Sequence, residues 1–531
     1  MPVPPSPQAL RPAVPPSTAL RAVADLARAR YSGDPDRLAR VVVTGVEQRS
    51  QAVRPGDLFA GLAGAQAHGA RFAPDAIAAG AVAVLTDPAG AELIGAVDVP
   101  VLVHDDPRAV LGGLSAAIYG HPSRRLQIIG ITGTSGKTTT SYLVEAGLAA
   151  AGLRTALIGT IETRIDGQRV PSALTTPEAP QLHAMFALMV ERGVQAVVME
   201  VSSHALVLGR VDGVEFEVGA FTNLSQDHLD FHADFEDYFA AKRRLFEPES
   251  PTAARTCVVC VDDAWGRRLV REVGGRTTVV TTATQQSPTG EAEPDWTLVG
   301  ATTVRGGGQE FTIAGLGVKT DVRLRLPGRY NVANALLAVA VCATAGIDAT
   351  VAAAALAEVD VPGRMQRVDA GQDFLAVVDY AHKPAAVESV IATLREYAKQ
   401  TGGRLAVVVG AGGDRDAGKR PLMGATAARG AELLIITDDN PRSEDPAEIR
   451  AAVRAGALGI AESERGEVAE IGDRAAAITA AVDWARPGDI VLVAGKGHET
   501  GQEIAGVKYP FDDREVVAAA LHRKTKDQTA S

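Results

Sequence analysis

The sequence predicts an α/β protein of three domains: a small N-terminal α/β domain, a central domain with a parallel sheet and a phosphate-binding loop, and a C-terminal Rossmann-like α/β domain. Three observations predict it. Strand-like segments such as LQIIGIT at 126–132 and RLAVVVG at 404–410 are apolar without alternation and are separated by helical stretches, the pattern of parallel strands covered on both faces. A glycine-rich stretch, TGTSGKTTT at 132–140, stands between an apolar strand and a helix. Turn-prone segments, YGHPSRR at 119–125 and VPGR at 361–364, divide the chain into 1–120, 121–360 and 361–531.

The elements follow in order. Residues 1–16, MPVPPSPQALRPAVPP, are proline-rich and lack the apolar core of a signal peptide, so they read as a frayed, disordered tail on a soluble protein. RVVVTGVEQRSQAVRPGDLFAGLAG at 40–64 and AVAVLTD at 81–87 read as short strands and turns, with an alanine-rich helical stretch between them. The central block opens with LQIIGIT, the glycine loop and the helical TTTSYLVEAGLAAAG. It continues through the strands TALIGT, QAVVMEV, FEVGAFT and TCVVCV to the helical ANALLAVAVCATAG. The last block repeats the pattern with FLAVVDYA, RLAVVVGAGG, AELLIITDDN and DIVLVAGKGHE. Two such sheets in series make a cleft.

Composition narrows the function. The formal charge is 53 minus 64, or −11, so no global basic field exists for nucleic acid or an anionic membrane, and an anionic ligand must be held by local clusters. No run approaches the roughly 18 apolar residues of a membrane span. Three cysteines make no disulfide framework. Cys257 and Cys260 form a C-x-x-C inside a strand, where they face opposite sides, which favours a structural role over a metal or redox one. The cytoplasm is the expected compartment.

The loop has the context of a phosphate cradle: strand, glycine turn and helix, with backbone N–H groups and the helix N-terminus supplying positive potential and Lys137 a full charge. Gly133, Thr134, Ser135, Gly136, Lys137, Thr138 and Thr139 are its candidate nucleotide contacts, with Thr138 the magnesium-side hydroxyl. The spacing departs from G-x-x-x-x-G-K-[ST], because position 131 is Ile131, and this points to a variant loop.

That variant resembles the ATP loop of the Mur ligases, whose common form is G-T-N-G-K-T, with Ser135 in place of Asn. The resemblance covers nearly the whole chain after the tail: LTTPE at 174–178, MEVSSHAL at 199–206, NLSQDHLDFH at 223–232, YNVANALLA at 330–338, GRMQRV at 363–368, DYAHKP at 379–384, GAGGDRDAGKRPLM at 410–423, DDNPRSEDP at 438–446 and AGKGHE at 494–499. Their order is that of the branch that adds the third residue to UDP-N-acetylmuramoyl-L-alanyl-D-glutamate in peptidoglycan biosynthesis. The resemblance implies a UDP-binding N-terminal domain, a central P-loop ATPase domain, ATP as co-substrate and Mg2+ as cofactor, in a monomer.

It also implies roles. Glu200 and His228 fall to magnesium, and Lys242 is carbamylated by CO2, becoming an anionic oxygen ligand. Carbamylation requires a neutral amine, which burial can provide. Asn334 meets adenine, Arg364 the phosphates and Asp379 the ribose, so the third domain must close on the second. Ser50 touches the uridine end of the nucleotide sugar, while Thr175, Thr176, Ser203 and Arg210 hold its sugar-peptide portion. Arg442, in DDNPR, marks members that add meso-diaminopimelate, whose distal carboxylate suits a guanidinium fork. Arg415, Asp439, Asn440, Gly495 and Glu499 complete that pocket, with Glu499 facing an ammonium. Another acceptor, such as lysine, or a folylpolyglutamate-type activity is the alternative within the class. A non-catalytic protein keeping the fold is the alternative outside it, and the intact Lys137, Glu200, His228 and Lys242 speak against that.

Overall fold

The computed structural model describes residues 10–32, 35–64, 67–170, 174–227, 231–285, 292–305 and 308–529. Its contacts define two compact units. One comprises Met1–Val299, Ile313–Asp321 and Ala333–Leu356; the other Gly300–Thr312, Val322–Val332 and Ala357–Ser531.

The first unit holds both the N-terminal and the central sheets. In the N-terminal sheet the order is Arg30–Ser32, Val101–Val103, Ala83–Thr86, Asp57–Ala60, Gly45–Glu47, parallel except for the first strand. The helix Pro107–Ile118 packs on it, started by Asp106, whose carboxylate accepts from Ala109 N–H at 3.2 Å, and by Pro107 in the first turn. Its Leu111 and Leu114 join Leu58, Leu85 and Leu102 in one core that also takes in Ala184 of the central helix Ala179–Glu191. The two sheets are thus tied by shared apolar packing.

The parallel run of the central sheet begins with six strands in the order Thr155–Ile158, Ala196–Glu200, Gln127–Thr132, Val218–Phe221, Thr256–Cys260, Thr278–Ala283, and the start of Trp296–Arg305 pairs parallel with the last of them. Five of the six are almost wholly buried, as their unbroken apolar sequences require. Cys257, Cys260 and Cys342 are buried and free, and burial pushes the first two thiols up, to about 11 and about 12.

The second unit contains a sheet in the order Gln366–Arg367, Leu375–Asp379, Ile490–Ala494, Leu405–Val409, Leu433–Ile436, Glu467–Glu470, antiparallel only at its first pair. Period-2 geometry splits each strand between two cores. Val377, Val407 and Leu434 face Leu394, Met423 and Val453 of one helix layer. Val378, Val408 and Ile435 face Ile478, Ala481 and Leu521 of the other. Among the described residues no helix is long and apolar enough to cross a membrane.

One expectation is corrected. The chain is not frayed through residue 16. From Leu10 onward it is ordered: Leu10 packs against the central core, Arg11 pairs with Asp57 and Glu47, and Ala13 N–H donates to Glu191 at 2.8 Å. Composition reads proline as disorder, whereas a single arginine finding two distant carboxylates overrides it. Residues 1–9 lie outside the described ones.

In the second unit Arg474 and Asp513 form an ion pair with both side chains 0% exposed, the guanidinium donating at 2.7 and 2.8 Å. Asp513→Ala leaves a buried, unpaired cation and is expected to cost about 3–5 kcal/mol. Differential scanning calorimetry should show a lowered melting temperature for Asp513→Ala.

Candidate active site

The strand Gln127–Thr132 lies between Ala196–Glu200 and Val218–Phe221, so its C-terminal end opens at the middle of the parallel sheet, where ligands of open α/β sheets gather. Gly133 follows at φ +143° and Gly136 at φ +86°, conformations that favour glycine. A Cβ on Gly133 would sit 1.8 Å from Thr222 Oγ1, and one on Gly136 would sit 2.4 Å from Asn334 Oδ1. The loop is therefore drawn tight against both neighbours, and Asn334 lies at its rim.

Hydrogen bonds fix the loop. Thr134 N–H donates to the Asn223 carbonyl at 2.9 Å, Ser135 N–H to Asn223 Oδ1 at 3.0 Å, and Thr222 Oγ1 to the Ser135 carbonyl at 2.7 Å. The helix Lys137–Ala150 begins immediately after, aiming its N-terminus at the cradle, with Thr138 and Thr139 buried in its first turn. Lys137 Nζ folds back to donate to the carbonyls of Gly133 and Thr134, both at 2.9 Å.

A second lysine reaches the same place. Lys242, on the helix Phe235–Arg243, is 1% exposed and donates to the Gly133 carbonyl at 2.8 Å, with its Nζ 4.5 Å from the Tyr238 ring centroid. Burial, reinforced by the Lys137 charge and opposed by Asp227, holds its amine well below the usual lysine range. The direction is the one that carbamylation would need.

Glu200 ends its strand 1% exposed, with Oε1 accepting from Thr160 N–H at 2.8 Å and Oε2 from Thr160 Oγ1 at 3.0 Å. The structure brings the sugar-peptide candidates to this carboxylate. Thr160 Oγ1 is 3.1 Å from Thr175 Oγ1, and Thr176 Oγ1 donates to the Glu200 carbonyl at 2.8 Å. Arg210 donates to the Thr176 carbonyl at 3.4 Å and pairs with Glu178 at 2.8 Å. The Ser203 hydroxyl is buried with no hydrogen bond among the described residues. Ser50, in the turn Ser50–Ala52 after the strand Gly45–Glu47, is buried in the N-terminal domain. His228 lies outside the described residues.

No group of three or more His, Cys, Asp or Glu among the described residues could hold a metal ion. Thr138 and Glu200 carry oxygens of the kind magnesium takes, one hydroxyl and one carboxylate beside substrate phosphates.

In the second unit the Arg364 guanidinium lies 4.7 Å from the Tyr380 ring centroid. Asp379 is buried, its oxygens accepting from Met365 N–H at 2.7 Å and Ala381 N–H at 2.8 Å, and burial raises its pKa. The carboxylate thus also braces the turn that carries Arg364.

The amino-acid candidates converge in the same unit. Asn440 donates to Glu499 Oε2 at 2.9 Å, while its Oδ1 accepts from Lys496 Nζ at 2.8 Å and from Glu503 N–H at 3.0 Å. Lys496, fully buried, also pairs with Asp439 at 3.2 Å and donates to the Gly501 carbonyl at 2.9 Å. Gly495, at φ +123°, places its missing Cβ 3.4 Å from Asp439 Oδ2. Arg442 donates from Nη1 to the Gly413 carbonyl at 2.6 Å and pairs through Nε with Glu503 at 3.3 Å, leaving Nη2 without a hydrogen bond among the described residues. Arg415 is more peripheral, donating to the Asp414 carbonyl at 3.1 Å. Sequence reasoning missed Lys496 and Thr160 as organisers. A lysine closing the apolar run IVLVAGK was the available signal for the first.

A phosphate cradle flanked by a buried amine and a carboxylate is the arrangement of an ATP-dependent ligase. The chain belongs to the Mur ligase family: it matches the Mur ligase family, catalytic domain over residues 42–119, the Mur ligase middle domain over 131–342, and the Mur ligase, glutamate ligase domain over 363–497. It is 56% identical to a UDP-N-acetylmuramoyl-L-alanyl-D-glutamate--2,6-diaminopimelate ligase of Corynebacterium glutamicum, covering 89% of this chain and 90% of that protein. It is 53% identical to the ligase of the same name from Streptomyces avermitilis, over 94% and 96%. A solved structure of a ligase of that name superposes with a TM-score of 0.69 at 31% identity, covering 96% of this chain and 100% of that one.

Lys137→Ala is expected to keep the fold and lose on the order of 100-fold or more in turnover, the scale of one lost transition-state charge contact. Substrate-dependent phosphate release beside a circular dichroism spectrum checks both, and near-normal turnover would remove the lysine from the phosphate site.

Proposed function

We propose that this enzyme joins meso-diaminopimelate to the γ-carboxylate of D-glutamate in UDP-N-acetylmuramoyl-L-alanyl-D-glutamate, consuming ATP and releasing ADP and phosphate, in peptidoglycan biosynthesis. The observation that carries the reading is identity above 50% to two ligases of that name over about nine-tenths of the chain. The Arg442 pocket supports the acceptor. Residues 1–120, 121–360 and 361–531 take the nucleotide sugar, ATP and the amino acid in turn. Three buried free cysteines suit a reducing cytoplasm, and one chain supplies every residue invoked, so a monomer suffices.

The chemistry brings one anion to another. A γ-carboxylate oxygen bonds to the γ-phosphorus as the bond to the ADP oxygen breaks, giving an acyl phosphate. The diaminopimelate amine then bonds to the acyl carbon, and the tetrahedral intermediate expels phosphate as the nitrogen gives up its proton. Lys137 and the N–H groups where the helix begins, from Gly136 to Thr139, bind and neutralise the phosphates, while Thr134 and Ser135, tied to Asn223, hold the loop around them. Asn334, Arg364 and Asp379 are the proposed contacts to adenine, phosphates and ribose. Thr175, Thr176, Ser203 and Arg210 hold the sugar-peptide portion beside Glu200, and Ser50 holds the uridine end. Magnesium, when held by Thr138, Glu200, His228 and carbamylated Lys242, supplies the positive charge that lets carboxylate and triphosphate approach. Arg442, Asn440, Asp439, Glu499, Gly495 and Arg415 orient the incoming amino acid.

Lys242 tests the carbamate. Lys242→Ala is expected to be nearly inactive and partly rescued by a short-chain carboxylic acid that restores the anion. Lys242→Arg should stay inactive, since arginine keeps a charge but does not carbamylate at ordinary pH. Turnover of both variants with and without added acetate measures this, and full activity in Lys242→Arg discards the carbamate.

Arg442 tests the acceptor. Wild type is expected to reject L-lysine by roughly 10⁴-fold in kcat/KM, the scale reached when a site built for a polar group is left unpaired. Arg442→Ala should lose most activity toward diaminopimelate with the KM for ATP almost unchanged. Because this arginine also holds the Gly413 carbonyl and Glu503, a modest fall in melting temperature accompanies it. Equal proportional losses for both amino acids would instead assign it to bracing alone.

A further inference from the structure

Arg11 lies outside every motif that carries the proposed reaction, yet it occupies one of the most buried polar junctions of the N-terminal domain. Its Nη1 donates to both oxygens of Asp57, at 2.7 and 2.9 Å, and its Nη2 to Glu47 Oε2 at 3.3 Å. The guanidinium side chain is 12% exposed, and the two carboxylates 2% and 3%. Two buried carboxylates thus meet at a cation contributed from a segment with no regular secondary structure; Arg11 is the side-chain partner of Asp57, while Glu47 takes a second cation from Arg49, whose Nε donates to Oε1 at 3.1 Å and Nη2 to Oε2 at 3.0 Å.

Glu47 is the pivot. It ends the strand Gly45–Glu47, and its Oε1 accepts from the backbone N–H groups of Gln48 at 3.0 Å and Arg49 at 3.1 Å. The same oxygen accepts from Gln181 Nε2 at 2.9 Å, on the central helix Ala179–Glu191. This carboxylate therefore sets the turn that delivers Ser50, three residues on, and ties it to the central domain. On either side of Arg11 the segment is anchored to that domain as well, Leu10 through its core and Ala13 N–H through Glu191 at 2.8 Å.

We propose that Arg11 is a positioning residue for the nucleotide-sugar substrate: by neutralising Asp57 and bridging it to Glu47, it holds the Glu47–Ser50 turn in the register that presents Ser50 to the uridine end. The proposal rests on the reading of Ser50 as a substrate contact. Without Arg11, the buried Asp57 carboxylate loses its cation beside Glu47, which keeps Arg49, and the turn loses one of the groups that fixes its carboxylate.

The test is steady-state kinetics on the full-length chain, varying the nucleotide sugar, ATP and diaminopimelate separately. Arg11→Gln is expected to raise the KM for the nucleotide sugar about tenfold, the weight of a lost hydrogen bond to a charged group, with kcat and the KM for ATP within about twofold of wild type. Arg11→Lys should recover part of the loss, because an ammonium restores the charge without the fork. An unchanged nucleotide-sugar KM in Arg11→Gln overturns the proposal, as does a rise of all three constants together with a fall in melting temperature. If Arg11→Gln does not fold, Glu47→Gln, which keeps the Arg11–Asp57 pair, should show the same split, and a wild-type KM there overturns the proposal equally. Ser50→Ala separates this inference from the reading beneath it. A raised KM in Ser50→Ala with none in Arg11→Gln overturns the role of Arg11 alone; a wild-type KM in Ser50→Ala overturns the substrate role of Ser50 and the proposal with it.

Discussion

Two lysines donate to one carbonyl oxygen, that of Gly133, and much of the central site follows from that convergence. The oxygen is available because Gly133 adopts a positive φ and carries no Cβ to strike Thr222. Burial disfavours the charged form of Lys242 and the nearby Lys137 charge adds to it, so the buried amine is held below the usual lysine range. A strained glycine, a threonine packed against it and a depressed amine are thus parts of one arrangement. The proposed carbamate would replace the surplus positive charge with a negative one, at the place where a cation has to be recruited.

The architecture was largely written in local pattern. Unbroken apolar runs announced the parallel strands, and the glycine loop between LQIIGIT and TTTSYLVEAG announced its own position at the centre of a sheet. Thr175 reaches the Glu200 carboxylate through Thr160 and Thr176 donates to the Glu200 carbonyl directly, while the meeting of Thr160 with Glu200 follows from the parallel pairing of Thr155–Ile158 with Ala196–Glu200. What was not legible depends on pairings across long stretches of chain. Arg11 finds Asp57 across 46 residues, and nothing in a proline-rich segment advertises the partner. Asp379 reads as a ligand residue from its motif, whereas its backbone-bracing role requires knowing where Met365 turns. Nor does composition reveal that the first two sheets share a core, since Ala184 joining the N-terminal cluster is a matter of packing.

The two ends of the proposed nucleotide-sugar site are built differently. Near Glu200 the groups are hydroxyls and one arginine held by short local bonds, which suits a substrate portion that must be placed finely against reacting atoms. Near Ser50 the turn is held by buried ionic contacts, an arrangement that fixes a loop without contributing to the chemical step.

Lys496 is sealed from solvent, with its ammonium spent on Asn440, the Gly501 carbonyl and Asp439. Mobile counterions cannot enter such a cluster, and its separations are far shorter than the ~8 Å Debye length of a physiological medium. The Lys496–Asp439 pair beneath the proposed amino-acid pocket is consequently insulated from the ionic strength around it, so it anchors Asn440 alike in dilute and concentrated salt, while Glu499, its side chain 33% exposed, stays open to the medium.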